Sequence, residues 1–465
     1  MKKHLKLFVI FCILCAWTES SFGQNGKVLT LDECIKIGMK NNSDLKNAAY
    51  QVDRAGANVT GSYSTILPRI TSSLSSNRTT IGQTVNLQTI PVVDPETGQT
   101  LIDPNTGQPV VDRVESTSPS RAFNNHSISL NYSQTLFDFG KSFNTIKEAK
   151  ASFKSASQSL SSSRQSVYAT VKQRYLELLK AMKLEQEYTQ AVSRSKEQLQ
   201  RTQSMYEIGS VAQVDVYKQE VTLGTDQINL INQRNTVDIA RSNLNVAMGR
   251  DPETPIEIMD VDAEPKLPDF SLNDAIAMAI KDNPDLKRFE YDMDSAEYGR
   301  KVAKGSFLPV ISVNAVYQRS NEKLSRVYGQ FDKNFFIRLG ANFDFNIFNG
   351  LSDRSEVSRQ TANYSIAKEN WINKKRTLSL EVKQAYRNLQ ASLEITKINE
   401  TNVKSAEEDF RLAQERYRVG AGTLLEVTDA QVSLTRARVN LVRTKYDAII
   451  AQAQLEAALG KAGGF

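Results

Sequence analysis

Histidine, cysteine and clustered acids decide what covalent or metal chemistry a chain can attempt, and here they are scarce. The 465 residues hold two histidines and three cysteines. His4, Cys12 and Cys15 lie in the first 23 residues, which leaves His126 and Cys34. A single histidine cannot build a zinc cluster or a Ser-His-Asp triad. A single thiol cannot close an intrachain disulfide, and Cys34 reads as a small buried hydrophobe. The sequence shows neither a Walker loop nor a convincing GxGxxG. No catalytic, cofactor-binding or metal-binding set is expected, and the chain does not read as an enzyme.

The chemistry-bearing side chains that do recur are a tyrosine and an acid around a glycine. Met205–Val216 reads MYEIGSVAQVDV, and Arg416–Val427 reads RYRVGAGTLLEV. Each has Tyr, two residues, Gly, five residues, an acid and Val, in registers 211 residues apart. The second acid, Glu426, is followed by Asp429. Acids at such places stabilise a helix start through its dipole, so neither needs a ligand to explain it.

The elements that hold these motifs come from a chain written twice. Residues 31–55 align without gaps to 272–296, an offset of 241, with Leu31/Leu272, Asn42/Asn283, Asp44/Asp285 and Tyr50/Tyr291 identical. Leu67-Pro68 matches Leu308-Pro309. Farther on the offset is 211, from Val171/Val382 to Gly249/Gly460, so the first half carries an insertion between Pro68 and Phe137. Residues 78–126 contain DPETGQ and DPNTGQ, both turn signals, and read as a long polar loop, solvated or ligand-binding. Two structural repeats follow, 24–265 and 266–465, behind a leader at 1–23.

Each repeat reads alike. A helix with an acidic start (Asp32; Asn273 and Asp274) runs to the Leu-Pro pair. Two strands and two very long helices come next. Proline is absent from 120 to 251 and from 310 onward. A helix from Gly140 to Gly209 would be about 100 Å long. In the return helices Val216, Leu223, Leu230, Val237 and Leu244 recur every seven residues, as do Val427, Leu434, Leu441, Ala448 and Leu455. That period makes a coiled-coil seam; a soluble antiparallel coiled coil satisfies it equally. Gly209 and Gly420 then sit at hairpin tips, where glycine permits the left-handed residue that ends a helix.

The four strands, 69–76, 127–137, 310–318 and 335–348, alternate. Phe335, Ile337, Leu339, Ala341, Phe343 and Phe345 share one face, and Arg338, Asn342, Asp344 and Asn346 the other. Such lengths and faces suit a membrane pore wall or a small sheet on a soluble body. The N-terminus favours the first. Lys2, Lys3 and Lys6 precede an apolar stretch, and Ser21-Phe22-Gly23 is a small-x-small cleavage site, the pattern of an export signal. Leu14 before Cys15 argues against a lipoprotein. Mean hydropathy is −0.41, and no later run of 18 apolar residues suggests a membrane helix. Without the leader's charges the net +6 falls to about +4, too balanced to indicate nucleic acid. A spanning sheet must close, and four strands are too few. Copies of the chain would have to share one barrel.

On the duplication, the Leu-Pro pairs, the Phe-Asp-Phe-Gly (137–140) and Phe-Asn-Gly (348–350) strand exits, both Tyr-x-x-Gly tips and Ala458-Leu459-Gly460, the chain resembles the TolC family of outer-membrane efflux proteins. The resemblance implies a mainly α protein with a small membrane β part. A homotrimer would form a twelve-stranded β-barrel continuous with an α-barrel of helical hairpins crossing the periplasm. It implies a passive exit duct serving a periplasmic adaptor and an inner-membrane transporter, for small-molecule efflux or for type I protein secretion. A soluble periplasmic coiled-coil scaffold is the competing class. The resemblance also implies that Glu426 and Asp429 line the periplasmic constriction, where crowded carboxylates would favour cations and could hold a blocking multivalent metal ion. Tyr417 and Asp215 would tie neighbouring hairpins in the closed state. The tips, with Tyr206, Gly209, Tyr417 and Gly420, would dock the adaptor. A further tie uses an arginine two residues after the tip glycine; this chain has Gly422 there, so closure would be looser.

Overall fold

The computed structural model describes residues 28–261, 264–329 and 332–460; the expected leader at 1–23 lies outside them. The first repeat opens with β1 (Val28–Leu29), α1 (Leu31–Asn41) and α2 (Ser43–Ser62). Then come β2 (Arg69–Ile81), β3 (Thr84–Pro91), β4 (Val111–Ser118) and β5 (Arg121–Phe137). The long helices α3 (Lys141–Glu207) and α4 (Gln213–Ala247) follow, with β6 (Glu257–Ile258) closing the repeat. The second repeat has α5 (Leu272–Asp282), α6 (Pro284–Gly305), β7 (Val310–Asn321), the short α7 (Leu324–Gly329), β8 (Phe335–Asp344), α8 (Ser352–Arg418) and α9 (Leu424–Ala458). α3 and α8 are both 67 residues long, and α4 and α9 both 35.

The caps explain where the elements start. Thr30 and Ser271, not the acids after them, open α1 and α5, each in a capping box closed by Glu33 or Asp274. The expected single helix up to the Leu-Pro pair is broken in both repeats. Asn42 interrupts the first, and its Oδ1 accepts from the N–H groups of Asp44 and Leu45 at 2.9 and 3.2 Å. Asn283 does the same for Asp285 and Leu286 at 2.9 and 3.1 Å. A side chain that caps its own successors starts a new helix. The prolines mark strand starts instead, Pro68 and Pro309 lying just before β2 and β7. At the strand exits, Asp138 Oδ2 accepts from Ser142 N at 2.8 Å and Asn349 Oδ1 from Asp353 N at 3.4 Å, so equivalent residues start the two long helices.

The chain divides into two units that do not follow the repeat boundary near 265. One takes residues up to 53, 154–290 and those from 369 onward; the other takes 54–153 and 291–368. Each unit combines parts of both repeats, because equivalent elements pack on each other instead of closing separate domains.

In the first unit, Cys34 and Ile35 of α1, Val171, Tyr175 and Leu178 of α3 and Leu244 of α4 form one apolar core with Tyr446, Ile449 and Ala453 of α9. A second core joins Ala275 and Ala279 of α5, Leu378, Val382 and Leu389 of α8 and Ala451 and Leu455 of α9. Of the ten expected seam residues, eight are buried, while Leu223 and Leu441 are half-buried. The buried Tyr175 hydroxyl donates to the carbonyls of Met259 and Leu29 at 2.5 and 3.2 Å, tying α3 to the β1–β6 pair. Its counterpart Tyr386 donates to Phe270 O at 3.4 Å.

In the second unit the strands lie in the order β2-β5-β7-β8, all antiparallel. The ladder sets Ile70, Tyr132, Ala315 and Leu339 in one row and Leu130, Tyr317 and Ile337 in the next, on one face. The other face carries Ser73 bonded to Ser129 and Ser75 bonded to Ser127, at 2.8 and 2.7 Å. On the apolar face the row ends at Arg319, buried, whose Nη2 donates to the Arg326 carbonyl of α7 at 3.1 Å. The strands do not close among themselves: β2 and β8 each have one neighbour.

Residues 78–126 are not a loop. β2 and β5 extend into them as a ribbon from Asn77↔Asn125 to Ile81↔Arg121, and β3 pairs with β4 from Thr84↔Ser118 to Pro91↔Val111. The two Asp-Pro turns are real, with Gly98 and Gly107 at positive φ and Asp94 and Asp103 accepting from Glu96 and Asn105 N–H. Between them the backbone of Val92, Leu101 and Val110 hydrogen-bonds in a closed cycle at 2.8–2.9 Å. The apolar residues flanking the turns supplied strand propensity that the turn signals masked.

Gly249, just past α4, has φ +69, and a Cβ there would lie 2.9 Å from the Asn41 carbonyl carbon and oxygen. At the equivalent Gly460 (φ +73) a Cβ would lie 3.2 Å from Asn283 Cα, a looser approach. Gly249→Ala is expected to cost more than the roughly 1–2 kcal/mol of left-handed backbone alone, read as a lower thermal midpoint in detergent. Gly224→Ala, inside α4 with open space around it, is expected to be neutral or slightly stabilising.

Candidate functional site at the hairpin tips

Both tips use one helix-ending device. Gly209 (φ +79) donates to Tyr206 O at 2.8 Å and Ser210 to Met205 O at 2.8 Å. Gly420 (φ +75) donates to Tyr417 O at 3.1 Å and Ala421 to Arg416 O at 2.8 Å. These paired bonds satisfy the last carbonyls of α3 and α8. The repeated Tyr-x-x-Gly therefore has a backbone reason independent of any partner.

Beyond the glycine the two tips diverge. α4 starts after Ala212, which offers no side-chain cap. α9 starts after Thr423, whose Oγ1 accepts from Glu426 N at 3.2 Å. Glu426 and Asp429 lie one turn apart on α9, Glu426 half-exposed and Asp429 exposed. Glu426 Oε2 is 3.3 Å from Arg416 Nη1. Arg416 Nη2 also donates to Ala421 O at 3.2 Å.

Tyr206 is exposed in part, whereas Tyr417 packs against the small cluster of Ala413, Val427 and Ala430. The Tyr417 hydroxyl lies 3.5 Å from Met205 Sδ of the first hairpin. Burial first, then the negative charge of Asp215, push its pKa up, against the opposing charge of Arg201. Asp215 thus acts on the phenol as a nearby charge, while the hydroxyl's own contact goes to Met205. Asp215 is 3.8 Å from Lys218 Nζ.

Above the tips, buried polar bonds join α9 to α3 and α4. Gln431 Nε2 donates to Ser195 Oγ at 2.8 Å, and Ser195 bonds Asp226. Gln219 Nε2 donates to Thr428 Oγ1 at 2.8 Å. Ser195, Gln219 and Gln431 are buried. Sequence reasoning missed this seam and missed Arg416. The glutamines occupy helix positions that pattern alone assigns to solvent; Arg416 was visible only as the residue aligned with Met205.

The remaining reactive groups are dispersed. His126 Nδ1 bonds Ser76 Oγ across the β2–β5 ribbon at 2.8 Å. Among the described residues no group of His, Cys, Asp and Glu could hold a metal, and no helix is long and apolar enough to cross a membrane.

The sequence profile of the outer membrane efflux protein family matches residues 37–250 and 275–461. The outer membrane protein TolC of Salmonella enteritidis is 25% identical over 348 residues, covering 72% of this chain and 69% of its own. The alkaline protease secretion protein AprF of Pseudomonas aeruginosa is 23% identical over 343 residues, with the same coverages. Among solved structures, the CmeC outer membrane channel of Campylobacter jejuni superposes with a TM-score of 0.76 at 20% identity, over 93% of this chain and 86% of that one.

Cys34 is fully buried in α1, and burial, with a smaller push from Glu33 and an opposing one from Arg250, raises its pKa to about 11. A thiol in its neutral form is a poor nucleophile. Native protein at pH 8 is expected to resist maleimide, whereas denatured protein labels to completion; mass spectrometry reads both. Since the profile matches most of the chain on both sides of the internal boundary, the chain belongs to the outer membrane efflux protein family.

Proposed function

We propose that this outer-membrane efflux protein works as a homotrimeric exit duct, the outer-membrane part of a tripartite efflux pump for small molecules. The observation that carries the reading is the four-stranded sheet. It has one apolar face, one hydroxyl- and amide-lined face, and two unpaired edges. Exposed edges in a lipid environment leave backbone groups without partners. Joining β8 of one copy to β2 of the next removes every edge, and three copies give a twelve-stranded barrel. Leu339, Ile337 and Phe343 then face lipid, and Ser73, Ser129 and Asn314 face the lumen. The hairpins of three copies would complete a periplasmic α-barrel.

In this arrangement the tips are the periplasmic mouth. Glu426 and Asp429 from each copy form the constriction, Tyr417 and Asp215 belong to the contact that holds the mouth closed, and the surfaces around Tyr206, Gly209, Tyr417 and Gly420 receive the adaptor. An inner-membrane transporter supplies the energy. Export of a protein by a type I system is the second reading, favoured by the likeness to AprF. Both use the same duct.

Planar-bilayer recording tests the reading. Purified protein is expected to run as a heat-sensitive trimer and to conduct ions with cation preference. Glu426→Gln with Asp429→Asn is expected to abolish that preference or turn it toward anions, and to keep the conductance. A monomer in detergent, without conductance, returns the chain to a coiled-coil scaffold. Leu339→Arg, on the face assigned to lipid, is expected to lower barrel stability by about 2–4 kcal/mol if it lies near mid-membrane, measured by urea unfolding in bilayers. A soluble sheet would tolerate it, since Leu339 is already 77% exposed in the single chain.

A further inference from the structure

The two tips share a backbone but not a charge pattern. The first has Met205 where the second has Arg416. The first presents Asp215 beside Lys218; the second presents Glu426 beside Arg416, and Asp429 one turn on along α9. Arg416 reaches back over the turn, with one nitrogen 3.3 Å from Glu426 Oε2 and the other donating to Ala421 O at 3.2 Å. The carbonyl contact holds the guanidinium on the tip and does not depend on the ion pair.

Gly422 makes room for this. A Cβ at 422 would lie 3.0 Å from Arg416 Cβ and 3.2 Å from Tyr417 N. Any side chain there would push against the stem of Arg416. The backbone of Gly422 lies outside the left-handed region, so the need is for space rather than for conformational freedom. The glycine and the arginine are thus one arrangement.

We propose that Arg416 is a specificity-determining residue that offsets the charge of Glu426 within each protomer, leaving Asp429 to carry the cation preference of the mouth. This rests on the reading that the tips line the constriction. A lone carboxylate acts on a passing ion as a point charge. With a guanidinium at 3.3 Å it becomes a short dipole whose field falls off faster with distance. The second tip of each copy then presents one net negative charge from these three groups instead of two from the acids alone. The neighbouring Arg418 and Glu415, 3.0 Å apart, cancel in the same way. The pair is exposed and contributes little to stability; its consequence is the field it removes from the mouth.

The test is reversal potential in a KCl gradient, with block by magnesium as a second readout. Arg416→Gln is expected to raise the cation-to-anion permeability ratio about two-fold or more, since focused fields act strongly on local ion concentration, and to lower the magnesium needed for half-block. Arg416→Lys, which keeps the charge, is expected to stay near wild type. Adding Glu426→Gln to Arg416→Gln is expected to return the ratio to wild type. Glu426→Gln alone, which leaves Arg416 uncompensated, should lower it as much as Asp429→Asn does. If Arg416→Gln matches wild type while Asp429→Asn lowers the ratio, the mouth is where it was placed and the offset by Arg416 is wrong. If neither acid matters, the placement of the tips at the constriction fails, and this inference with it. Equal trimer content and single-channel conductance across the variants separate these outcomes from misfolding.

Discussion

A strand has hydrogen-bonding groups on both sides, and in β2 and β8 one side of each goes unused within the chain. That constraint organises the molecule. Within one chain the sheet stays open, because each repeat supplies only two strands to it and the repeats already pair through β5 and β7. Among the described residues, its apolar face, from Ile70 through Tyr132 and Ala315 to Leu339, meets α7 at Arg319, and these four residues are half-buried or exposed. A soluble protein of this composition would cover such a face. In a membrane lipid would cover it, and on the proposed reading the edges would pair with another copy.

The duplication explains how a long chain reaches this state with few kinds of contact. Asn42 and Asn283 restart helices, Asp138 and Asn349 start long ones, Gly209 and Gly420 turn hairpins, and Gly249 and Gly460 seat hairpin ends on the asparagines. Each device appears once per repeat at equivalent positions. The differences between repeats are peripheral to that frame: the β3–β4 hairpin in the first, α7 in the second, and Arg416 in place of Met205.

Much of this was legible in the residues because it depends on local rules. Glycine at a positive φ, a seven-residue seam and alternating strand faces are set by backbone sterics and burial, and the long helices begin and end within a few residues of where glycine and the lack of proline put them. The helix break at Asn42 was not legible, since its cause is a side chain bonding its own backbone, which the pattern of apolar residues does not register. Residues 78–126 mislead for a related reason. The Asp-Pro and Thr-Gly turns are local, but the pairing of Val85 with Thr117 and Leu87 with Glu115 joins segments whose register only the folded ribbon fixes. At the tips, the equivalence of Tyr206 and Tyr417 was readable, whereas the reach of Arg416 to Glu426 depends on a turn tight enough to need Gly422.

The packing of α9 also changes character along its length. Near its C-terminal half Tyr446, Ile449 and Ala453 enter an apolar core, and Ala451 and Leu455 enter another. Toward the tip its links to α3 and α4 are Gln431 to Ser195 and Thr428 to Gln219. A buried apolar side chain contributes about 1.5–3 kcal/mol, whereas a neutral hydrogen bond nets about 0.5–1.5 kcal/mol. The larger apolar clusters of α9 therefore lie away from the glycine turns. The bonds that remain there are directional: each glutamine amide has one hydroxyl to meet, so the seam fixes register more than it adds strength. The same chain thus holds α9 through two large apolar cores in its C-terminal half, and near the charged residues through these polar bonds together with the small apolar cluster of Ala413, Val427 and Ala430.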